Sequence, residues 1–324
     1  MKKLSKWFAV PTLAIGVLAT PIHAAESAYP DRQINIIVAA TPGNANDILA
    51  RVIAKRLSDK FKQPVIVDNK PGAGGTLGAG LLARAKPDGY TLMVQSTSLT
   101  TAQAVYKNPG FDVEKDFAPV IMLALAPMGI FVNAELPANT LGELIAYAKK
   151  NPGKLNFGSS GNGSIMHINS ERLALENGLR MVHIPYNGGA PAVTALMAND
   201  IQVLTVDIAS GLAAIRAGKI RLLAVGSTER VASFPNVPTT AEAGLPFNPA
   251  VWYGLFAPSG TPAPVTKILF DEVSLLVADP AYRKDMEGKG SQVPIISPQQ
   301  FRAMISNELV KYREVITSAK IPQE

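Results

Sequence analysis

Three short stretches combine glycine with small polar side chains, and each lies where a strand-like run gives way to a helix-like run. They are Pro42–Asp47 (PGNAND), Gly158–Ser164 (GSSGNGS) and Tyr186–Pro191 (YNGGAP). The start of a helix exposes backbone N–H groups and a partial positive charge, so such a turn can bind an anion without a fixed cation. The first stretch holds no lysine or arginine, and an ordinary helix cap explains it equally well.

Histidine chemistry is the alternative that the polar residues raise. His167 and Glu171 are four residues apart on an expected helix, which suits either a metal pair or, more simply, a hydrogen-bonded network behind the second stretch. Ser160, His167 and Asp207 are the residue types of a nucleophilic triad, but spacing alone does not assemble one. No window fits G-x-S-x-G, and no H-E-x-x-H is present. We therefore predict no metal and no cofactor.

Two further turns lie at strand ends. Gly72–Gly78 follows a strand and opens a helix, but Leu77 stands where a dinucleotide-binding loop needs a small residue, so we interpret this segment as a structural turn. Gln95–Ser98 puts polar side chains at the end of a strand in the first half of the chain. Ligands usually bind at the carboxyl edge of a parallel sheet, so Gln95, Ser96 and Thr97 are candidates for ligand contact.

The elements that must position these residues alternate between strand and helix. Strand-like runs at 34–39, 64–69 and 90–95 are separated by apolar residues at helical spacing, and the same rhythm returns between 154 and 226. Near-continuous apolar strands indicate parallel sheets covered by helices, and two such blocks indicate two lobes. Ser297–Gln300 has the pattern of a capping box and predicts the start of a C-terminal helix.

Two apolar connections bounded by proline, Ala118–Ile130 and Val251–Pro258, lie between the blocks. If both cross between lobes, the first lobe comprises 29–126 together with 251–324, and the second comprises 127–250. Two crossings would then form a hinge. The alternative is that both connections are core strands of a single domain.

The first 24 residues differ from the rest of the chain. Three lysines precede the apolar run Trp7–Thr20, and the small residues Ala24 and Ala25 follow. This pattern predicts a secretory signal peptide over 1–24, cleaved near Ala24–Ala25, with an uncleaved membrane anchor as the alternative. Export without any cysteine means that the fold is expected to rest on its core alone.

Composition limits the classes of partner. Hydrophobic residues make up 47% and charged residues 17% of the chain, which is typical of a globular protein. The formal net charge of +6 falls to +3 without residues 1–24, because three lysines and no acidic residue are removed. No basic stripe is present, so nucleic acid is not an expected partner.

The order of several motifs along the chain resembles a known family, the periplasmic receptors of the tripartite tricarboxylate transporters, also called the Bug family. The resemblance covers essentially the whole chain after residue 24. The motifs are PGNANDILAR at Pro42–Arg51, VDNKPGAGGTLGA at Val67–Ala79, PDGYTL at Pro87–Leu92, KDFAPV at Lys115–Val120, GSSGNGS at Gly158–Ser164, VHIPYNGGAPA at Val182–Ala192, RAGKIRLLAV at Arg216–Val225 and VPTTAEAG at Val237–Gly244.

The resemblance implies a type II periplasmic-binding-protein fold, an α/β architecture of two lobes with mainly parallel central sheets and a ligand cleft that closes like a Venus flytrap. It implies a non-enzymatic periplasmic receptor that delivers a small carboxylate to the membrane subunits of a tripartite tricarboxylate transporter. Family ligands include di- and tricarboxylates, acidic amino acids and aromatic acids such as terephthalate. The family's ligand loops match Pro42–Asp47 and Gly158–Ser164, with contributions from Tyr186–Ala190 and Asp207.

Two departures from the family pattern touch the predicted pocket. Asn44 stands where the family usually has a second glycine, and its side chain is expected to narrow the pocket or change the polar groups that line it. Gln95–Thr100 replaces the usual G-T-x-x-x-x-N. The identity of the ligand therefore cannot be inferred from other members of the family. The candidate ligand-binding residues are Gly43, Asn44, Ala45, Asn46, Asp47, Gln95, Ser96, Thr97, Ser159, Ser160, Asn162, Gly163, Ser164, His167, Tyr186, Gly189, Ala190 and Asp207.

Two other functions remain open at this stage. An exported serine hydrolase would use the serine-rich loop, although only two histidines follow the predicted signal peptide. A sensory module that reports ligand occupancy to a membrane sensor kinase would share the binding site of a transport receptor. We expect the protein to be a monomer in either case.

Overall fold

The computed structural model describes residues 29–245 and 247–323, so the predicted signal peptide over 1–24, with its cleavage point near Ala24–Ala25, lies outside the described residues. The strands are β1 (Ile34–Val38), β2 (Val65–Asn69), β3 (Thr91–Ser96), β4 (Phe117–Asn133), β5 (Asn156–Ser159), β6 (Val182–Pro185), β7 (Val203–Asp207), β8 (Ile220–Val225) and β9 (Ala250–Pro258). The helices are α1 (Ala45–Phe61), α2 (Thr76–Ala83), α3 (Ser98–Val105), α4 (Val113–Asp116), α5 (Leu141–Lys150), α6 (Ile165–Asn177), α7 (Gly189–Met197), α8 (Ile208–Arg216), α9 (Ala263–Ala278), α10 (Pro280–Gly288) and α11 (Pro298–Ser318). In the described part of the chain, none of these helices has the length and apolarity needed to span a membrane.

One long strand, β4, joins two halves of the sheet. Its first part pairs with β9, and β3, β1 and β2 continue the sheet on the far side of β9. Its last part lies between β7 and β8, with β5 and β6 continuing beyond β7. Pairing is parallel among β1, β2 and β3 and among β5, β6 and β7, whereas β4 and β9 run antiparallel to their neighbours. The predicted α/β class is confirmed, and the sheet is mixed because β4 and β9 run antiparallel to their neighbours.

The hydrophobic clusters separate along the same line. Two clusters draw their residues from positions up to 125 and from 252 onward, and two others draw theirs from 128 to 251. A fifth cluster connects the halves through α3, α6 and α11. The lobe boundaries at 126/127 and 250/251 remain a proposal, and this separation of the cores supports them.

Local sequence explains where most of these helices begin. The capping box predicted at Ser297–Gln300 is present at the start of α11. Ser164 caps α6 through its side chain, and Asn44 does the same for α1. The sequence pattern did not predict α3, because its SLTTAQAV segment contains β-branched and hydroxyl residues of low helix propensity. Most of α3 is buried, so tertiary packing stabilises it.

Candidate functional site

Two cavities lie between the halves of the sheet, at the ends of strands from both. The first, here called the hydroxyl cavity, has a volume of about 340 Å³ and no charged side chain among its described lining residues. The second, here called the apolar cavity, measures about 190 Å³. The hydroxyl cavity is lined by Gly74, Ser96, Thr97, Ser98, Thr101, Ala102, Val105, Tyr106, Ser160, Asn162, Gly163, Ser164, Ile165 and Val251. The polar residues of the apolar cavity are Asp207, Tyr253, Lys289 and Ser291.

The first loop, Pro42–Asp47, is occupied by its own hydrogen bonds. Asn44 Oδ1 accepts from the backbone N–H of Asp47 at 3.0 Å, so this side chain caps α1 and lines neither cavity. Asp47 is buried and accepts from Gly43 N–H, from Asn69 and from Arg51. Hydrogen bonding to Arg51 holds the pKa of Asp47 at about 2, despite the opposing effect of burial. The expectation that the Asn44 side chain narrows the pocket or changes its lining is therefore corrected, because its oxygen accepts a hydrogen bond within the loop.

Asn46 connects the first loop to the end of β3. Its Nδ2 donates to Gln95 Oε1 at 3.1 Å, and the same oxygen accepts from Ser96 N–H and the Ser98 hydroxyl. Because a backbone N–H is always a donor, the Ser96 contact fixes the orientation of the Gln95 amide and hence that of Asn46. Asn46 Oδ1 is then buried with no hydrogen-bond partner among the described residues. Asn46 and Gln95 therefore organise the base of the site and do not line either cavity.

The second loop, Gly158–Ser164, presents a defined set of donors. The backbone N–H groups of Gly161, Gly163 and Ser164 are bonded to Ser159 Oγ, His167 Nδ1 and the Gly161 carbonyl respectively. No such bond is found within the described chain for the N–H groups of Ser160 and Asn162. Ser160, Asn162 and Ser164 line the hydroxyl cavity, so these two amides and the Ser160 and Ser164 hydroxyls are donors available to a ligand there.

The polar side chains behind the second loop point away from the cavity. Ser159 is fully buried, and its hydroxyl lies 2.6 Å from His183 Nε2. The nitrogens of His167 face Gly163 N–H and, at 3.6 Å, Glu171. Asp207 Oδ1 and Oδ2 accept from the Ser210 N–H and hydroxyl. The Ser160–His167–Asp207 triad considered from spacing is therefore not formed, because His167 and Asp207 are both bonded to other groups.

The remaining candidates lie near the apolar cavity or the edge of the second loop. Ala45 and Asp207 line the apolar cavity beside Tyr253. Burial and the nearby Asp207 carboxylate raise the pKa of Tyr253 to about 12, so its hydroxyl stays protonated. Tyr186 follows β6 and donates its N–H to the Ser159 carbonyl, and Gly189 and Ala190 open α7. None of these three lines either cavity.

The structure therefore divides the predicted residues into those that line the hydroxyl cavity, those near the apolar cavity or the edge of the second loop, and those that support the loops from within. Ser96, Thr97, Ser160, Asn162, Gly163 and Ser164 meet in the hydroxyl cavity, as predicted from the ends of β3 and β5. Within the described residues, neither cavity is lined by both loops, and the first loop reaches the hydroxyl cavity only through the Asn46–Gln95–Ser98 hydrogen bonds. Gly43, Asn44, Asn46, Asp47, Gln95, Ser159 and His167 support the loops from within.

Sequence reasoning missed several lining residues. Thr101 and Tyr106 belong to α3 and the position after it, a helix that no pattern indicated. Gly74 lies in the glycine-rich turn interpreted as structural, and it lines the hydroxyl cavity. Val251 and Tyr253 are on β9, where their apolar run signalled only a strand. The described residues contain no group of three or more acidic or histidine side chains placed to hold a metal ion.

Comparison with known proteins identifies the family. The model of the tripartite tricarboxylate transporter family receptor matches residues 49–321. BugT of Bordetella pertussis is 34% identical over 314 residues, which cover 95% of this chain and 96% of that protein. A protein of R. palustris solved with adipate is 30% identical with a TM-score of 0.73, and the match covers 91% of this chain and 99% of the other. MatC of Rhodopseudomonas palustris, solved with bound malate, is 30% identical with a TM-score of 0.70, covering 89% and 100%.

These likenesses run along nearly the full length of both partners in each comparison. They confirm the predicted fold class, the two-lobed α/β architecture of periplasmic binding proteins. The chain belongs to the tripartite tricarboxylate transporter family of receptors, which includes the Bug proteins, and is a solute-binding receptor of that type.

Proposed function

We propose that this chain captures a small carboxylate in the hydroxyl cavity, between a first lobe of 29–126 with 251–324 and a second lobe of 127–250. The observation that carries the proposal is the cavity's lining: neutral hydroxyl and amide donors from both halves of the sheet, with no charged side chain among them. Its volume of about 340 Å³ suits a small molecule. Hydrogen bonds to an ionised carboxylate are stronger than those between neutral groups, so uncharged donors are sufficient to hold it.

Capture follows from donors that face each other. One carboxylate would accept from the N–H groups of Ser160 and Asn162 near the start of α6, where the helix dipole adds a favourable field. The Ser96–Ser98 side of the cavity would hold the other end, directly or through water. A ligand that contacts both lobes binds the closed state best, so its binding shifts the population toward closure.

The ligand class that we infer is a dicarboxylate. The relatives solved with adipate and with malate carry six- and four-carbon diacids respectively, and a hydroxyl-rich cavity offers donors for a second carboxylate. Citrate and the rigid aromatic diacid terephthalate belong to the same chemical class of small polycarboxylates. They are therefore included in the test below.

The location and partners complete the proposal. The signal peptide over residues 1–24 would direct export to the periplasm, with cleavage near Ala24–Ala25. The loaded receptor would then deliver its ligand to the membrane subunits of a tripartite tricarboxylate transporter, acting as a monomer. Neighbouring genes for permease subunits would support uptake, whereas a neighbouring sensor kinase gene would support signalling from the same site.

Isothermal titration calorimetry of the purified protein tests the function. The panel is malate, succinate, adipate, citrate and terephthalate, with benzoate and butyrate as monocarboxylate controls. We expect one diacid or triacid to bind at least roughly tenfold more tightly than either monocarboxylate, because only it engages both sides of the cavity. Equal binding of mono- and dicarboxylates would remove the dicarboxylate assignment, and no binding of any carboxylate would overturn the function.

A further inference from the structure

Two stacked imidazoles lie directly behind the second loop. The rings of His167 on α6 and His183 on β6 have centroids 3.6 Å apart and are 14° from parallel. The ring of Phe157 on β5 stacks against His183 at 5.0 Å. Only 3% of His167 is exposed. Neither imidazole lines a cavity, so this pair, here called the imidazole pair, does not contact the proposed ligand.

The imidazole pair is hydrogen-bonded to the loop at two points. His167 Nδ1 accepts from the backbone N–H of Gly163 at 3.1 Å. His183 Nε2 lies 2.6 Å from Ser159 Oγ, which itself bonds both the N–H of Gly161 at 3.1 Å and its carbonyl at 3.0 Å. Between these two points lie Ser160 and Asn162, which line the hydroxyl cavity.

The contacts define the protonation of His167. Because Gly163 supplies a backbone N–H donor, Nδ1 must carry a lone pair, so the ring is uncharged with its proton on Nε2, toward Glu171 at 3.6 Å. A proton on Nδ1 would set two donors against each other. Burial and the proximity of His167 lower the pKa of His183 to about 4, which keeps this second ring uncharged at neutral pH.

The surroundings contribute one charged contact. Glu171, on α6 itself, is the charged group that lies against the imidazole pair within the described chain. Farther along the same helix, Arg172 and Glu176 pair with each other at 2.6 Å. The contacts from β5 are the uncharged Phe157 ring and the Ser159 hydroxyl. The pair is thus a largely uncharged support, unlike a metal site or an acid–base couple.

We propose that His167 and His183 are positioning residues of the receptor, which hold the second loop in its ligand-accepting shape through uncharged ring nitrogens. The inference rests on the proposed function only in assuming that this loop contacts the ligand. Its structural part, the control of the loop by the two rings, is testable without any ligand.

The test uses removal and replacement variants of each ring. His167→Leu removes the acceptor for Gly163, whereas His167→Asn offers an amide oxygen in place of Nδ1. His183→Leu and His183→Gln form the same comparison for Nε2 at a less buried position. Glu176→Gln on the outer face of α6 is the matched control, because its carboxylate pairs with Arg172 and does not contact the loop.

Amide hydrogen exchange at Gly161 and Gly163 is measured without ligand, alongside thermal unfolding. We expect the leucine variants to exchange these amides at least roughly tenfold faster at little changed melting temperature, and the polar variants and Glu176→Gln to resemble the wild type. Wild-type exchange rates in both leucine variants would overturn the inference. Equal effects of the leucine and polar replacements would also overturn it, because they would indicate a role of side-chain volume alone.

Titration with malate and adipate at pH 7.5 then connects the loop to binding. For a diacid that binds the wild type, we expect at least roughly tenfold weaker affinity in the leucine variants, with recovery in His167→Asn. Unchanged affinity in both leucine variants would overturn the inference. If the wild type binds no carboxylate, the proposed function fails, while the exchange data still decide whether the imidazole pair positions the loop.

Discussion

At the scale of single residues, side chains of similar type have different roles on the two loops. Ser160 lines the hydroxyl cavity, whereas the Asn44 side chain caps α1. We expect Ser160→Ala to weaken diacid binding by roughly tenfold or more, since a hydrogen bond to a charged group contributes about 1.5–3 kcal/mol. Its free energy of unfolding should be unchanged. Calorimetric titration and urea denaturation measure the two quantities.

Asn44→Ala serves as the opposite case. Loss of the helix cap should lower the free energy of unfolding by about 1 kcal/mol, with a smaller effect on affinity than Ser160→Ala. A large loss of affinity in Asn44→Ala, with stability unchanged, would show that Asn44 contacts the ligand after all.

The lowered pKa of Asp47 predicts how the stability of the fold depends on pH. Hydrogen bonding to Arg51 holds the pKa of Asp47 at about 2, below the value of about 3.9 expected in an unfolded chain. A lowered folded-state pKa means that the ionised group stabilises the fold above about pH 4 and that this contribution fades as the pH falls toward 2. Asp47→Asn should therefore be less stable at pH 7 and show a flatter loss of stability between pH 4 and 2 in urea titrations.

The exposed Lys55–Asp59 pair on the same helix provides the control for Asp47. Asp59→Asn removes a carboxylate that also pairs at i, i+4 spacing, but in solvent, where such pairs contribute little. If both variants lose the same stability, the buried hydrogen bonds of Asp47 have no special role.

At the scale of elements, α6 lies between two glycines with nearly the same φ angle. Gly163 before it has φ +68° and Gly178 after it has φ +64°. A Cβ at Gly163 would lie 2.7 Å from the Val105 side chain of α3, whereas one at Gly178 would meet nothing within 4 Å. We expect Gly163→Ala to weaken ligand binding, and Gly178→Ala to cost only the backbone strain of about 1 kcal/mol. Affinity and thermal unfolding of both variants check this, and equal affinities would contradict it.

At the scale of the whole molecule, α11 is bonded to β9 and to α3 through one partly buried carboxylate. Glu308 accepts from Trp252 Nε1 at 2.9 Å, from the Thr100 hydroxyl at 2.7 Å and from the Tyr312 hydroxyl at 2.8 Å. Burial raises the pKa of Glu308, while these hydrogen bonds oppose the rise. We expect Glu308→Ala to lower the free energy of unfolding by about 3 kcal/mol, because the buried Trp252 and Tyr312 donors lose their acceptor, whereas the Thr100 hydroxyl keeps the Thr97 carbonyl.

Urea denaturation of Glu308→Ala and Glu308→Gln measures that contribution. The glutamine keeps one acceptor oxygen, so its loss of stability should be smaller. Wild-type stability of the alanine variant would show that the Trp252 and Tyr312 donors find other partners, and that this carboxylate does not join the C-terminal helix to β9.

Much of the fold was predictable because its signals are local. Alternating apolar runs indicated the strands and helices of both blocks, and the capping box at Ser297–Gln300 indicated the start of α11. The second loop was likewise visible from its glycines and serines. By contrast, α3 has weak helix formers and is stabilised by burial, so Thr101 and Tyr106 could not be assigned to the cavity from their neighbours in sequence.

The sequence by itself determined the family, the alternating α/β elements and the turns rich in donors, because each depends on residues close together in the chain. Only the tertiary structure decided which side chains face the cavity. Ser159 meets His183, 24 residues away, and Thr97 meets Trp252, 155 residues away, and such contacts turn a hydroxyl toward the ligand or away from it. The physical reason is that a short polar side chain bonds the nearest available partner, and packing between distant elements determines which partner is near.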